Sequence, residues 1–371
     1  MYFKTKIAVI LGLVSFFTLV ETNIVFSQGG ESAVPFILIA PTSKSSGMGE
    51  TGTGLADDAS AIFYNPGGLA FQEGSEVSLT HTNWLPQFHQ SDLFYEYLNF
   101  KHYLQDIGTV SASVTFLNLG EFIRTSSQGP EEIDRWKSYE YAVTVGYATR
   151  VLDELGLGIN LRLIHSALSP IGTEQEQGQG IATTVSGDIG LLYKPKSLVL
   201  PFTGIDLGNI LSVGVNLSNL GPKVTYIDAD QADPLPTNLR LGFGVKILES
   251  DYNNLTYTLD FSRLLIRRYR EEENKKPDEF YKAIFTAWSD GGLRKVVTTT
   301  GIEYWYGKPK LIAIRMGFLY EDPAYGNRKY LTFGAGIRYD IYGFDFSYIS
   351  PFNENSPLAN TLRFSLLVNW M

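Results

Sequence analysis

The sequence predicts an all-β protein, a transmembrane antiparallel β-barrel of about 14 strands. Three observations favour this fold class: an alternation of apolar with small or charged residues, aromatic residues at the ends of the apolar rows, and connections that alternate between long and short. A chain of 371 residues fits one closed barrel, because the sheet grows around a ring and needs no second core.

The alternation is clear in residues 237–247. Leu239 and Phe243 share one parity, and Arg240 and Gly242 share the other. Since successive side chains on a strand point to opposite faces, one face is apolar and the other is small or charged. A soluble β-sandwich also alternates, but segments of about 9–12 residues have the length that a tilted strand needs to cross a bilayer. The same pattern recurs in residues 155–163, 330–340 and 362–370.

The connections between the predicted strands differ in length, as in bacterial barrels with short periplasmic turns and long outer loops. The long links are Leu85–Leu93, Leu117–Trp136, Ser169–Gly180, Leu220–Leu235, Arg263–Gly292, Glu321–Asn327 and Ser350–Asn360. Most of the other links are tight turns, and the link near Lys196–Thr203 is the exception. An even number of strands returns both chain ends to the periplasm.

Residues 1–27 predict a cleavable signal peptide. Lys4 and Lys6 precede an uncharged apolar run, Ile7–Val20, and Val25 and Ser27 suit the small-residue cleavage positions. A single anchor helix is the alternative, but it needs roughly 20 apolar residues. The sequence therefore predicts export to the cell outer membrane.

Residues 28–75 predict a plug, or hatch, inside a barrel that spans residues 76–371. The segment is rich in Gly, Ser and Ala, and it is too long for a simple entry into the first strand. A periplasmic tail is the alternative. The run Ala33–Ala40 favours the hatch, because it is too apolar to be left in water without cost.

A helical insertion is predicted in the outer loop near residues 263–292. Within Asp278–Trp288, the residues Phe280, Ala283, Ile284 and Ala287 share one helical face. Asp278 stands at the N-cap position. We expect this helix to lie over the barrel mouth.

Parity places a set of charged residues on the lumen face. Its members are Arg162, Arg240, Arg315, Arg338, Arg363, Asp188, Glu303 and Asp345, together with Lys246, Glu140 and Asp260. Mixed charge favours cross-strand ion pairs that fill the lumen and hold the hatch, and a substrate path is the alternative. With the hatch inside about 14 strands, an open pore is not expected.

The sequence offers no catalytic residues, and we expect no enzyme. Cysteine is absent, which excludes thiol chemistry, and we identify no metal or cofactor site. Of the four histidines, His81 and His165 fall on outward rows, His89 in a loop and His102 near a strand end. The glycines of residues 47–54 lack the Lys-Ser/Thr of a phosphate loop. A net charge of -9 argues against nucleic acid as a partner.

Residues 33–71 resemble the N-terminal region of the PorV/PorQ family, outer-membrane barrels of the type IX secretion system that are related in fold to the FadL fatty-acid transporters. The run Asn65, Pro66, Gly67 and Gly68 is similar to the Asn-Pro-Ala motif of FadL-type hatches, with Gly67 in place of Ala. The stretches most similar to the PorV branch of the family are Glu279–Asp290, Gly301–Gly307, Gly326–Asp340, Phe344–Pro351 and Asn360–Trp370.

The resemblance implies a carrier. Family members bind the C-terminal signal domain of secreted cargo as it leaves the translocon barrel, and they shuttle it to an attachment complex that contains a PorU-type sortase. The implied partners are the type IX translocon barrel, the C-terminal signal domains of cargo, the PorU-type sortase and outer-membrane lipid. The candidate binding loops are Leu117–Trp136, Leu220–Leu235 and Arg263–Gly292. The alternatives are FadL-type transport of hydrophobic small molecules, an outer-membrane lipid enzyme, and a scaffold without a ligand of its own.

Overall fold

The computed structural model describes residues 32–88, 92–126, 129–170, 178–201, 204–269, 273, 275–353 and 355–371. These residues form 14 antiparallel strands that close into one barrel, which confirms the predicted fold class. The predicted signal peptide, residues 1–27, lies outside the described residues.

The barrel starts at Ser75, one residue ahead of the predicted boundary. The strands are β1 Ser75–Asn83, β2 Phe94–Leu104, β3 Gly108–Thr125, β4 Glu132–Leu152, β5 Leu155–Ser169, β6 Gly180–Tyr193, β7 Leu211–Leu220, β8 Asn238–Glu249, β9 Asn253–Leu264, β10 Val297–Tyr306, β11 Ile312–Tyr320, β12 Lys329–Tyr339, β13 Tyr342–Pro351 and β14 Leu362–Trp370.

Each strand pairs with its neighbours in sequence, and β1 closes the ring against β14. Val77 lies opposite Val368, and Leu79 lies opposite Leu366. Closure pairs backbone groups around the whole ring, so the membrane-spanning wall has no open sheet edge.

Side chains alternate along each strand with a period of two residues, and this alternation separates the outward face of the wall from the lumen face. Leu161 is 70% exposed while its neighbour Arg162 is 7% exposed, and Ile314 is 62% exposed while Arg315 is 1% exposed. The apolar rows therefore face outward and the charged rows face the lumen. This arrangement matches a barrel surrounded by lipid.

One predicted loop is instead a β-hairpin. Of the link Leu117–Trp136, residues up to Thr125 extend β3 and residues from Glu132 extend β4. A register shift between Asn118 and Gly120 breaks the period of two at this point, so the alternation that predicts a strand is lost there.

Residues 32–74 lie inside the barrel as a hatch. They contain helices α1 (Ser43–Gly47) and α2 (Ala61–Tyr64) and the 3-10 turns Pro35–Leu38 and Pro66–Phe71. One hydrophobic cluster of hatch and wall residues includes Val34, Phe36, Ile37, Tyr95, Tyr97, Leu117, Ile164, Val224 and Leu235. A second includes Ala56, Ile62, Leu69, Ala70, Ala148 and Leu192.

The predicted outer helix is shorter than expected. Helix α3 spans Phe280–Thr286 and continues as a 3-10 turn, Ala287–Ser289. Its N-cap is Glu279, not Asp278. Other 3-10 turns in the described chain are Pro86–Phe88, Ala229–Gln231 and Gly292–Lys295.

No helix among the described residues is long and apolar enough to cross a membrane.

Candidate functional site: the hatch and the outer surface

The hatch motif is anchored by Asn65, which is fully buried. Its side-chain amide donates to the carbonyl oxygens of Thr53 at 3.0 Å and of Leu191 at 2.8 Å. Its Oδ1 accepts a hydrogen bond of 3.1 Å from the backbone N–H of Gly67. One side chain thus joins two parts of the hatch to strand β6, and the buried amide is satisfied at both ends.

Gly67 lies against the backbone of the wall. A Cβ on Gly67 would come within 2.8 Å of the Gly190 carbonyl oxygen and 2.9 Å of the Gly156 carbonyl oxygen, which is closer than real Cβ atoms approach. The glycines on the inward face of β5 and β6 leave this space for the hatch. Glycine in place of the motif's alanine therefore has a steric reason in this barrel.

Asp260, on the inward face of β9, holds the next part of the hatch. Its Oδ2 accepts hydrogen bonds of 2.8 and 2.7 Å from the backbone N–H groups of Gly52 and Thr53. Further along the wall, Thr332 Oγ1 accepts one of 2.8 Å from the N–H of Gly49. These contacts were not predicted residue by residue, although parity had placed Asp260 inside the lumen.

Four of the predicted lumen residues form one ion-pair network, in which Arg315, Glu303 and Asp345 are buried and Arg338 is half-buried. Arg315 Nε lies 2.6 Å from Glu303 Oε2, and Arg315 Nη1 lies 2.7 Å from Asp345 Oδ1. Arg338 Nη2 lies 2.7 Å from Asp345 Oδ2. Gly336 stands between the partners, and a Cβ there would come within 2.9 Å of Arg315 Nη1. The small residue lets a side chain on β11 reach a carboxylate on β13.

The other predicted lumen residues lie apart from this network. Arg162 Nη2 pairs with Asp188 Oδ2 at 2.8 Å, and both side chains are buried. The Arg240 guanidinium lies over the hatch rings of Phe63 and Tyr64, at 5.3 and 5.4 Å from their centroids.

Arg363 lies 6.0 Å from the Trp84 ring centroid. Within the described chain, its Nε and Nη1 have no hydrogen-bond partner. Lys246, predicted inside, is exposed near the end of β8 and pairs with Glu249 at 3.1 Å.

A cavity of about 120 Å³ opens beside the hatch near the outer ends of the strands. Its charged lining residues are Glu50, Arg240, Asp260, Lys295, Glu321 and Arg328. The lining is of mixed charge, so the cavity suits water and polar groups more than a purely apolar ligand.

One serine–histidine contact was missed in the sequence. Ser75 Oγ lies 2.7 Å from His102 Nδ1 across strands β1 and β2, and the 27 positions between them hide the pair. Among the described residues, no carboxylate lies within hydrogen-bond distance of His102, and no group of three or more His, Cys, Asp or Glu side chains could hold a metal ion. His89 lies outside the described residues.

The β3–β4 hairpin projects beyond the rest of the wall. The strands have 18 and 21 residues, whereas about 9–11 are enough to cross a bilayer. Phe122, Ile123 and Ile133 near its tip are 46%, 50% and 55% exposed. The hairpin lies on the side of the long connections, which is the outer side.

The segment after β9 is held together by Asp278. Its carboxylate accepts hydrogen bonds from Tyr269 OH at 3.1 Å, Lys282 Nζ at 2.7 Å and Thr286 Oγ1 at 2.8 Å. Burial by itself would raise the pKa of the Asp278 carboxyl, but the hydrogen bonds from Lys282 and Thr286 outweigh it and hold the pKa below its usual range.

Acidification is expected to loosen helix α3 through this carboxylate. Because the folded-state pKa lies below the unfolded value of about 3.9, the stabilisation is complete above that value and is lost as the pH falls through the folded-state pKa. The protection of the backbone amides of residues 280–289 against hydrogen exchange, corrected for the intrinsic pH dependence of exchange, should decrease at low pH. Asp278→Asn should decrease this protection at neutral pH, at a cost of about 1–2 kcal/mol, and remove most of the pH dependence. An unchanged pH profile in this variant would contradict the assignment.

Two solved structures share this fold. The toluene transporter TbuX of Ralstonia pickettii is 15% identical, with a TM-score of 0.51 over 89% of this chain and 98% of that chain. The toluene transporter TodX of Pseudomonas putida is 12% identical, with a TM-score of 0.52 over 94% of this chain and 99% of that chain. Identities this low show the fold alone, a closed β-barrel.

The family itself is shown by a sequence match. Residues 27–270 match the family model described as type IX secretion system protein PorV. The matched region covers more than half of the chain and includes the hatch and strands β1 to β9, which confirms the resemblance seen in residues 33–71. No curated protein matches the chain. The chain therefore belongs to the PorV family, and it is an outer-membrane component of the type IX secretion system.

Proposed function

We propose that this chain is a cargo carrier of the type IX secretion system. It binds the C-terminal signal domain of secreted cargo as that domain leaves the translocon barrel, and it passes the cargo to an attachment complex with a PorU-type sortase. Membership of the PorV family supports the role in secretion. The outer surface of the barrel supports the binding step.

The observation that carries the proposal is the projecting β3–β4 hairpin. The ladder between β2 and β3 ends at the pair Phe94 and Asn118, and the ladder between β4 and β5 begins at the pair Tyr139 and Ala167. Beyond these pairs, the described hairpin has strand neighbours only within itself. A strand edge of this kind can pair with a strand of another chain.

The side chains of the hairpin suit the same kind of partner. Phe122 and Ile123 are consecutive, so they point to opposite faces, and both are about half exposed. Phe122 stacks on Trp136 across the hairpin, with 6.2 Å between ring centroids. A cargo domain built as a β-sandwich offers both strand edges and apolar faces, and it would cover these groups.

Trimming the hairpin tests the binding step. Replacing residues 122–136 by Asn-Gly leaves Glu121 and Lys137, which are cross-strand partners, on either side of a two-residue turn. We expect the trimmed barrel to fold, as judged by its heat-modifiable mobility on gels. We also expect a reporter with the signal domain to keep that domain uncleaved and to accumulate in the periplasm, and the purified signal domain to lose binding.

A matched control uses another exposed aromatic residue of the outer surface. Phe352, in the β13–β14 connection, is 66% exposed, and Phe352→Ser should leave reporter display unchanged. Wild-type display by the trimmed barrel would overturn the role of the hairpin. Normal display in a strain without the gene would overturn the carrier function itself.

Uptake of hydrophobic small molecules, the alternative from the sequence, needs an apolar path through the barrel. In the part of the chain that the structure describes, the hatch lies across the lumen and charged residues line the cavity beside it. We therefore favour the carrier. Lipid or detergent bound inside the lumen of the purified protein would favour uptake.

A further inference from the structure

The outward face of the wall is interrupted at the outer ends of β9 and β10. Thr298 lies between its cross-strand partners Phe261 and Tyr320, and Arg263 follows Phe261 on the same face of β9. The charged Arg263 and the hydroxyl of Thr298 thus lie beside aromatic residues on a face that is otherwise directed toward lipid. A charge facing lipid is costly unless protein groups satisfy it.

The segment after β9 covers this interruption from outside. Arg263 is only 3% exposed, and its guanidinium donates hydrogen bonds to the backbone carbonyls of Ala287 at 2.7 Å, of Asp290 at 2.9 Å and of Gly292. The ring of Trp288 lies over the guanidinium, with 4.7 Å to its centroid. Residues 287–292 are therefore fixed to the outward face of β9.

This segment exposes several large apolar side chains, beside the exposed charged residues Lys282 and Arg294. Tyr281, Phe285 and Trp288 follow one another at helical spacing and are 63%, 79% and 42% exposed. Leu293, in the next turn, is also largely exposed, whereas Ala283 is buried on the opposite face of α3. The segment replaces a polar stretch of wall with an aromatic surface.

We propose that this surface, Tyr281, Phe285, Trp288 and Leu293, inserts into the outer leaflet of the membrane and completes the lipid-facing belt beside β9 and β10. The surface adjoins the lipid-facing wall through its anchor Arg263, which belongs to an outward row of β9. On the adjacent strands β8 and β10, Leu241 and Ile302 lie exposed on the outward faces. Aromatic side chains of this kind concentrate at membrane interfaces. The inference does not depend on the proposed cargo function, since the occupant is lipid.

Trp288 is the natural probe. The full-length protein would be reconstituted in nanodiscs of phosphatidylcholine brominated near the top of the acyl chains, and the fluorescence of Trp288 taken as the difference between wild type and Trp288→Phe. We expect this component to be quenched by the brominated lipid and protected from iodide in water. Trp136, on the projecting hairpin, is the matched control: the difference from Trp136→Phe should be quenched by iodide and not by the lipid.

A second variant tests the role of the neighbouring side chains. Phe285→Ser combined with Leu293→Ser should reduce the quenching of Trp288 by brominated lipid, and Phe285→Leu should retain it. A Trp288 component that iodide quenches and brominated lipid does not would overturn the proposal, because the surface would then face water and be open to a protein partner. No cargo is present in this experiment, so its failure is distinct from failure of the carrier function.

Discussion

Replacing Arg315 by methionine is expected to destabilise the barrel by about 3–5 kcal/mol. The substitution keeps a long apolar side chain but leaves Glu303 buried without its cation, and Asp345 retains only Arg338. Both carboxylates are 2% exposed, so water cannot replace the lost partner. The change would be measured as the shift of the urea unfolding midpoint of the purified barrel in detergent.

Two further variants separate charge from shape. Adding Glu303→Gln to Arg315→Met should recover much of the loss, because the uncompensated charge is then removed. Lys308→Met breaks an exposed pair with Asp251, whose side chains are 58% and 73% exposed, and it should cost less than about 1 kcal/mol. Equal losses for Arg315→Met and Lys308→Met would contradict the buried network.

Replacing Gly158 by valine is expected to displace the hatch from the wall. A Cβ on Gly158 would overlap the backbone of Pro66 and Gly67, and neither side can yield without moving the turn Pro66–Phe71 or strand β5. Overpacking of cores costs about 1–3 kcal/mol, occasionally more. Because the added side chain would clash with backbone atoms, we expect a loss of stability at the upper end of this range. We expect new protease-sensitive sites within residues 32–74 and larger currents across planar bilayers.

The control for this substitution is a glycine with open space around it. Among the described residues other than its chain neighbours, none has a heavy atom within 4 Å of a Cβ placed on Gly129, in the outer β3–β4 connection. Gly129→Val should leave both proteolysis and conductance unchanged. A Gly158→Val barrel with a protected hatch and wild-type conductance would refute the close packing of the motif on β5.

The wall of the barrel was predictable because one local rule governs it. Leu161 and Arg162, or Ile314 and Arg315, face opposite sides for the sole reason that strand side chains alternate. The same parity placed Arg315, Glu303 and Asp345 in the lumen. Which of them would pair was not predictable, since Arg315 reaches Asp345 only because Gly336 stands between them.

Two elements were predicted wrongly, because their structure depends on specific hydrogen bonds and not on the hydrophobic periodicity of the sequence. The β3–β4 hairpin looked like a loop, because a bulge near Gly120 breaks the alternation while cross-strand pairing continues. Asp278 looked like an N-cap, but it accepts hydrogen bonds from side chains on both sides of itself. Hydrophobic periodicity does not report on such backbone pairing or on side-chain hydrogen bonds.

By itself, the sequence determined the strands, their inward and outward faces and the family of the chain, because these depend on short-range alternation and on contiguous motifs. Only the tertiary structure decided how the hatch fits against the wall glycines, how the lumen charges pair, and why Arg263 can stand on an outward row. Each of these depends on atoms brought together by closure of the barrel, and closure joins residues as distant as Ser75 and Trp370.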